Sequence, residues 1–147
     1  MRLSTRTRYG ARAIVELAVA YPRRSLSVRE VADSLKLSAK YLEHIMASLK
    51  AGGLVRASRG MQGGYALARP PRSITLNDVF QVLEGNDALV QCVVNASDCP
   101  VSAHCATRET WVEMQNAITD VLKGTSLQDL VERKRSKAGS AAPMYQI

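Results

Sequence analysis

The sequence predicts a mainly α-helical fold with one small β-hairpin. Apolar residues recur at helical spacing in several segments, whereas only residues 54–58 and 65–69 have the character of short strands. The glycine-rich segment 59–64 joins these two runs, as in a hairpin with a long tip. The chain has 147 residues, 46% of them hydrophobic, and is therefore long enough to bury one substantial core.

Three helices are predicted before the hairpin. The first covers residues 5–20, where apolar side chains recur every three to four positions. The second follows Ser27, which can form a capping box with Glu30. The third follows Ser38, covers residues 39–50 and has a polar outer face. Two short helices with a tight turn describe a helix-turn-helix, and the hairpin after them makes it a winged helix.

The second half of the chain is predicted to hold a loop and a long helix. A fourth helix follows Thr75, and residues 86–99 have no clear periodicity. A long fifth helix is expected from Pro100 to Gly124, because proline suits the first turn of a helix. Little of the chain remains to cover the apolar side of this helix. We therefore expect a second copy to cover it, forming a homodimer.

Charge is divided unevenly along the chain, although the net charge is +7. Residues 1–75 carry 14 Lys and Arg against 4 Asp and Glu, whereas residues 76–147 carry 6 against 9. A basic half that contains a helix-turn-helix is the electrostatic footprint of double-stranded DNA binding. A basic surface that serves solubility alone is the other interpretation.

We therefore expect three parts in the chain. Residues 1–75 form a winged helix-turn-helix DNA-binding domain. Residues 76–132 hold a loop that contains all three cysteines of the chain, together with the dimerisation helices. Residues 133–147 form a basic flexible tail. No apolar run approaches the roughly 20 residues of a membrane span, and no signal peptide is apparent, so we expect a cytoplasmic protein without membrane contact. An enzyme is not expected, because the sequence has no catalytic acid–base pair or nucleotide-binding loop.

All three cysteines of the chain, Cys92, Cys99 and Cys105, lie in one fourteen-residue stretch. Soft thiolates gathered in one loop can hold a soft metal or an iron–sulfur cluster. A thiol redox switch without metal and the remnant of a lost site are the alternatives. The clustering thus makes this stretch the candidate cofactor site.

Several motifs resemble one known family over about residues 1–135, the Rrf-type winged-helix transcription regulators that include IscR, NsrR and CymR. These motifs are Met1-Arg2-Leu3-Ser4, Arg8-Tyr9-Gly10, Leu37-Ser38-(two)-Tyr41-Leu42-Glu43, Leu49-Lys50-Ala51-Gly52-Gly53-Leu54-Val55 and Arg59-Gly60-(two)-Gly63-Gly64-Tyr65. The cysteine trio resembles the cluster-binding branch, whereas CymR-like members lack it. The resemblance implies homodimers that bind operator DNA and sense iron–sulfur status, nitric oxide, iron or cysteine supply.

The resemblance also implies roles for individual residues in DNA binding. Glu43 would contact base edges, where a carboxylate can accept a hydrogen bond from cytosine, and Arg59 at the tip of the wing would enter a minor groove. Glu43 could instead be a solvated surface residue. The other candidates for phosphate or base contacts, or for shaping the wing, are Arg6, Arg8, Ser38, Lys40, Tyr41, His44, Arg56 and Gly60.

The resemblance leaves the cluster site one ligand short. Three thiolates supply three positions of a [4Fe–4S] or [2Fe–2S] cluster. Arg108 stands where IscR-like proteins have a histidine, and Arg6-Thr7-Arg8 stands where NsrR-like proteins have an aspartate. Glu109, Asp98, water or a small thiol could complete the site, and the fourth ligand is unknown.

From the sequence we therefore expect a dimeric transcriptional regulator, a repressor, whose operator binding depends on an iron–sulfur cluster held by the three cysteines. The cluster would order residues 86–105 against the first helix and thereby set the angle between the two DNA-binding heads. The alternative is a cluster-free regulator of the same fold, responsive to thiol redox state or cysteine metabolism, that acts through a partner protein. The signal, a small-molecule or protein effector and the operator sequence stay open.

Overall fold

The computed structural model describes residues 3–61, 63–85 and 89–140 and has the mainly α-helical, winged-helix architecture that the sequence predicts. The α-helices are α1 (Thr5–Ala20), α2 (Val28–Leu35), α3 (Ala39–Ala51), α4 (Leu76–Leu83), α5 (Gln91–Val94), α6 (Arg108–Lys123) and α7 (Leu127–Ser140). The strands β1 (Val55–Ser58) and β2 (Gly64–Leu67) form an antiparallel hairpin. Short 3₁₀ turns occupy Pro71–Ser73, Ala96–Asp98 and Ser102–His104. Within these residues, no helix combines the length and apolar character needed to cross a bilayer.

Local side-chain hydrogen bonds define the helix-turn-helix. The predicted capping box of α2 is present, because Glu30 N donates to Ser27 Oγ at 3.2 Å and Ser27 N donates to Glu30 Oε2 at 2.7 Å. Lys36 ends the helix in a left-handed conformation with φ of 54°. Ser38 then caps α3 by accepting a hydrogen bond from Tyr41 N at 3.1 Å. These contacts fix where α3 begins relative to α2.

The hydrophobic core is continuous from the first helix to the last. Ile14 of α1, together with Leu42 and Ile45 of α3, has no exposed surface. Leu127 and Val131 of α7 belong to the same cluster. Helix α7 therefore joins the core by packing against α1 and the Pro71–Ser73 turn.

The fifth helix predicted from Pro100 does not begin there. Residues 89–107, which we call the cysteine segment, contain α5 and two 3₁₀ turns, and the long helix α6 begins only at Arg108. Polar side chains hold these turns locally: Ser102 Oγ donates to Ala96 O at 2.6 Å, and Asn95 Nδ2 donates to Asp98 Oδ1 at 2.7 Å. Such side chains compete with helical backbone hydrogen bonds, which explains the late start of α6.

Helix α7 continues into the predicted tail. The basic residues from Arg133, predicted as the start of a flexible tail, continue α7 to Ser140, and residues 141–147 of that tail lie outside the described residues. Lys134 Nζ donates to Glu16 Oε1 on α1, so this extension is paired with the core helix. Lys and Arg are also good helix formers, and the continuation is therefore favoured locally.

The predicted apolar side of α6 packs partly against α4, but several of its large side chains remain exposed in the single chain. Trp111, Met114 and Val121 are 36%, 45% and 67% exposed, and no described residue of α6 is buried. Large apolar side chains on one helix are a common mark of an interaction surface.

We predict that Gly52→Ala destabilises the fold by about 1 to 3 kcal/mol, the usual cost of overpacking. Gly52 has φ of −77°, which alanine adopts freely, but an added Cβ would lie 2.8 Å from Cγ1 and 3.1 Å from Cβ of Val82 on α4, with Cγ2 closer still. The matched control is Gly139→Ala in α7, where no atom lies within 4 Å of the added Cβ. Urea unfolding should show a loss for the first variant only, and equal stabilities would contradict this packing.

Candidate nucleic-acid interface and cysteine segment

The outer face of α3 offers polar side chains to solvent while the opposite face is anchored in the core. Lys40, Glu43 and His44 are exposed. Leu42 and Ile45, on the other side, are completely buried. A helix of a helix-turn-helix fixed in this way presents its outer face to a DNA groove as a rigid unit.

The wing pairs through its second strand with the backbone that precedes α2. Tyr65 of β2 pairs with Leu26 before α2, through Leu26 N to Tyr65 O at 2.9 Å and Tyr65 N to Leu26 O at 2.8 Å. Arg56 and Arg59 are exposed on the hairpin, and Gly60 has φ of 109°, a conformation that favours glycine. The predicted wing arginines therefore lie on an element that is attached directly to the helix-turn-helix.

The basic start of α1 lies beside α3. Arg6 Nη2 donates to Ser48 Oγ of α3 at 2.6 Å. The guanidinium group of Arg8 lies 5.9 Å from the centre of the Tyr9 ring, and that ring packs edge-on against Tyr41 with centroids 6.2 Å apart. Tyr41 therefore has a packing role, whereas Arg6 and Arg8 remain exposed next to the α3 surface.

A carboxylate from another helix caps this basic first turn. Positive charge at the start of α1 opposes the helix dipole, and α1 has no acidic residue in its first turn, but Glu84 at the end of α4 supplies a negative charge there. Its Oε1 accepts from Ser4 N at 3.1 Å, and its Oε2 accepts from Ser4 Oγ at 2.5 Å and from Thr7 Oγ1. These hydroxyl donors, first Ser4 and then Thr7, hold the pKa of Glu84 below its ordinary value.

The sequence prediction missed Glu84 because 80 positions separate it from Ser4. A single glutamate after an apolar helix pattern carries no local mark of a partner so distant. Only the packing of α1 against α4 brings the two residues together.

The three cysteines are free and half-buried in the cysteine segment. Cys92 lies on α5, whereas Cys99 and Cys105 each follow a 3₁₀ turn. Across residues 3–61, 63–85 and 89–140, no three His, Cys, Asp or Glu side chains lie close enough together to hold a metal ion. The donor set thus suits an iron–sulfur cluster chemically, but the described conformation does not bring the three thiols together as one site.

Two side chains of α6, those of Arg108 and Gln115, form hydrogen bonds with the backbone of the cysteine segment. Arg108 Nε donates to Cys92 O at 3.0 Å, and Leu89 N donates to Gln115 Oε1 at 3.0 Å. At the position where the family resemblance suggested a ligand, this chain therefore has an arginine that donates to the backbone carbonyl of Cys92.

The thiol of Cys105 lies beside a polar side chain. Its Sγ lies 3.3 Å from Thr107 Oγ1. Hydrogen bonding to the Thr107 side chain, followed by the backbone N–H groups of Thr107 and Arg108, lowers the pKa of the Cys105 thiol. Thiolate is the form that binds metals and reacts with oxidants, so this environment favours either chemistry.

Comparison with known proteins decides the family. The sequence model of the protein family described as "Rrf2: Iron-dependent Transcriptional regulator" matches residues 3–133 of this chain. The chain belongs to the Rrf2 family. The HTH-type transcriptional regulator CymR of Bacillus subtilis is 35% identical to it over 130 residues, which cover 88% of this chain and 89% of that protein. Protein rrf2 of Nitratidesulfovibrio vulgaris is 34% identical over 131 residues, or 89% of this chain and 87% of that protein.

Solved structures agree with this assignment. The structure of CymR (YrzC), the global cysteine regulator of B. subtilis, has a TM-score of 0.79 at 34% identity and covers 90% of this chain and 98% of its own. T. potens IscR has a TM-score of 0.74 at 32% identity and covers 100% of this chain and 94% of its own. The predicted family and winged-helix fold are confirmed, and this Rrf2 protein is a DNA-binding transcriptional regulator. The individual DNA contacts and the cysteine ligands stay predictions.

We predict that acid weakens the helix-turn-helix through Glu30. Hydrogen bonding to Arg24 and then to Ser27 lowers the pKa of Glu30 from 4.5 to about 2. Because the folded-state pKa is depressed, the carboxylate contributes stability above pH 4.5 and loses it as the pH falls towards 2. Glu30→Gln should therefore lower the melting temperature at neutral pH but have progressively less effect below pH 4.5. A difference that persists unchanged in acid would contradict this assignment.

Proposed function

We propose that this Rrf2 protein is a homodimeric repressor that binds operator DNA through α3, the wing and the start of α1, and that an iron–sulfur cluster on Cys92, Cys99 and Cys105 controls this binding. The observation that carries the proposal is the position of three free thiols in one segment between α4 and α6. Because α4 packs against both α1 and α3, a change in this segment could reach the helices that are proposed to contact DNA.

The proposed DNA contacts fall into two groups by chemistry. Arg6, Arg8, Lys40 and Arg56 would position the protein on phosphates, because they are exposed cations on the α1, α3 and wing surfaces. Ser38 would contribute its backbone, since its hydroxyl caps α3. The residues proposed to read or reach bases are Glu43, His44 and Arg59, with Gly60 shaping the wing tip.

Cluster binding would require the cysteine segment to close around the iron. The described segment is held mostly by local hydrogen bonds of short turns, so rearranging it would disturb little of the core. A cluster supplies iron–thiolate bonds that join distant positions of one segment. The protein's own contribution is the three free thiols and, at Cys105, an environment that favours the thiolate.

The homodimer is proposed from the exposed apolar side chains of α6. Trp111, Met114 and Val121 would be buried against a second copy, and a two-fold dimer suits a palindromic operator. Because Arg108 and Gln115 of α6 bind the cysteine segment, this segment would then lie close to the dimer interface.

Anaerobic purification tests the cofactor directly. We expect a coloured protein that absorbs visible light, at wavelengths longer than the protein's own ultraviolet band. It should contain matched amounts of iron and acid-labile sulfide. A colourless protein without iron, prepared in the same way, would contradict the cluster proposal.

The second candidate function is cluster-free regulation through thiol chemistry or a partner protein. Two observations favour it: the lowered pKa of the Cys105 thiol and the 35% identity to CymR, whose structure is described as that of a global cysteine regulator. Alkylation of the metal-free protein with iodoacetamide should then change DNA affinity, and a cysteine-synthesis enzyme should co-purify with the protein. Neither result is expected if the cluster alone controls binding.

A further inference from the structure

Glu84 occupies a junction between two functional parts of the molecule. It follows α4 directly, and the cysteine segment begins a few residues later at Leu89. Its carboxylate accepts three hydrogen bonds at the start of α1, from Ser4 N, Ser4 Oγ and Thr7 Oγ1. One side chain therefore ties the end of α4 to the first turn of the helix that carries Arg6 and Arg8.

The first turn of α1 also contacts α3, which is the recognition helix in the proposed function. Arg6 lies between Ser4 and Thr7 in sequence, and its Nη2 donates to Ser48 Oγ at 2.6 Å. Ser48 Oγ donates to His44 O of the same α3 helix at 3.0 Å. A hydrogen-bonded path therefore leads from Glu84 through the start of α1 to the outer face of α3.

The electrostatics of this junction favour an ionised carboxylate. Negative charge near a helix N-terminus is stabilised by the helix dipole, and α1 has no acidic residue of its own in the first turn. Hydrogen bonds to a charged group are also stronger than neutral ones. Removing the carboxylate would leave the Ser4 and Thr7 donors without this partner and would weaken the hold on the basic turn.

On the basis of these contacts, and resting on the proposed function for its regulatory meaning, we propose that Glu84 is a positioning residue that couples the cysteine segment to the recognition helix. It holds the first turn of α1 and, through Arg6 and Ser48, the outer face of α3 at a fixed place relative to the end of α4. A displacement of the cysteine segment that moves Glu84 thereby reaches the DNA-binding surface.

A double-mutant cycle between Glu84 and Ser48 tests this coupling in the full-length protein. The probes are duplexes selected by the unmodified protein from a random-sequence pool, and the readout is affinity at fixed salt. Glu84→Ala should weaken binding about tenfold and Ser48→Ala about threefold, while the double variant should be no weaker than Glu84→Ala alone. Independent effects that multiply to about thirtyfold would overturn the proposal.

A matched control separates positioning from general destabilisation. Glu132→Ala removes the same charge from an exposed site on α7 and should leave affinity unchanged. Hydrogen exchange should accelerate at the amides of residues 5–8 in Glu84→Ala at temperatures where both variants are folded, and not in the control. Exchange that is equal in the two variants would overturn the proposal.

The cysteine segment itself is tested by replacing all three cysteines with serine. If that change alters DNA affinity, we expect the alteration to shrink to less than about twofold in the Glu84→Ala background. A full-sized effect there would overturn the coupling. Unchanged affinity in the triple variant would instead contradict the cluster control of the proposed function, and the Glu84–Ser48 cycle would still report on the positioning role.

Discussion

Replacement of any one of Cys92, Cys99 and Cys105 with serine is expected to remove the iron and sulfide from the anaerobically purified protein. A cluster held by three thiolates of this chain loses a third of these ligands with each substitution, and a serine hydroxyl is a poor ligand for soft metal centres. The measurement is iron and sulfide content per chain, together with visible absorption. All three variants should behave alike.

The control for this series lies in the same segment. Ala103→Ser introduces the same side chain at an exposed, non-ligating position of the Ser102–His104 turn and should retain the cluster. The series also separates a cluster from a disulfide switch, because a disulfide needs only two cysteines. One silent cysteine among the three would contradict the three-ligand site.

The second large effect is expected on the outer face of α3. Glu43→Ala should relax the preference for a cytosine in the operator, because a well-formed contact to a base edge contributes about 1 to 3 kcal/mol of discrimination. Binding to duplexes that lack this base should change much less. Competition among selected duplexes that differ at single base pairs measures the effect position by position.

Lys40→Ala is the matched contrast on the same helix. An exposed lysine on a phosphate should weaken binding to all duplexes by a similar factor and should reduce the slope of log affinity against log salt by about one. If Glu43→Ala also weakened all duplexes uniformly, its assignment as a base-reading residue would be wrong.

The local part of the fold could be predicted from the sequence because its determinants are local. Ser27 with Glu30, Ser38 and Thr75 mark helix starts through hydrogen bonds within three residues, and the structure contains each of these caps. The strand pair around the glycine-rich segment also follows from nearby residues. The caps of α2 and α3 and this hairpin belong to the winged helix, and Thr75 caps the helix that follows it.

The remaining features depend on contacts between distant parts of the chain. Glu84 contacts Ser4 only through tertiary packing, and Lys134, which lies in the predicted tail, pairs with Glu16 of α1. The sequence predicts a start of α6 at Pro100 because proline suits a first helical turn, but Ser102 forms a competing local turn and α6 begins at Arg108. Patterns of spacing contain no information about these competitions.

For the cysteine segment, too, the sequence indicates the chemistry of the side chains but not their arrangement in space. The sequence shows three candidate thiol ligands in one stretch, and all three are free in the structure. Their arrangement could not be predicted, because it depends on short turns and on Arg108, which binds Cys92 O. The regulatory proposal therefore depends on how this segment changes when iron is bound.

The most direct test of the central claim compares the DNA affinity of one protein preparation in two states at matched salt. Fluorescence anisotropy with a selected duplex should be measured anaerobically for the cluster-loaded protein and again after the iron has been removed by chelation. We predict a change in affinity of about 5-fold to 150-fold, the usual range of coupling between two sites. Equal affinities in the two states would contradict control of DNA binding by an iron–sulfur cluster.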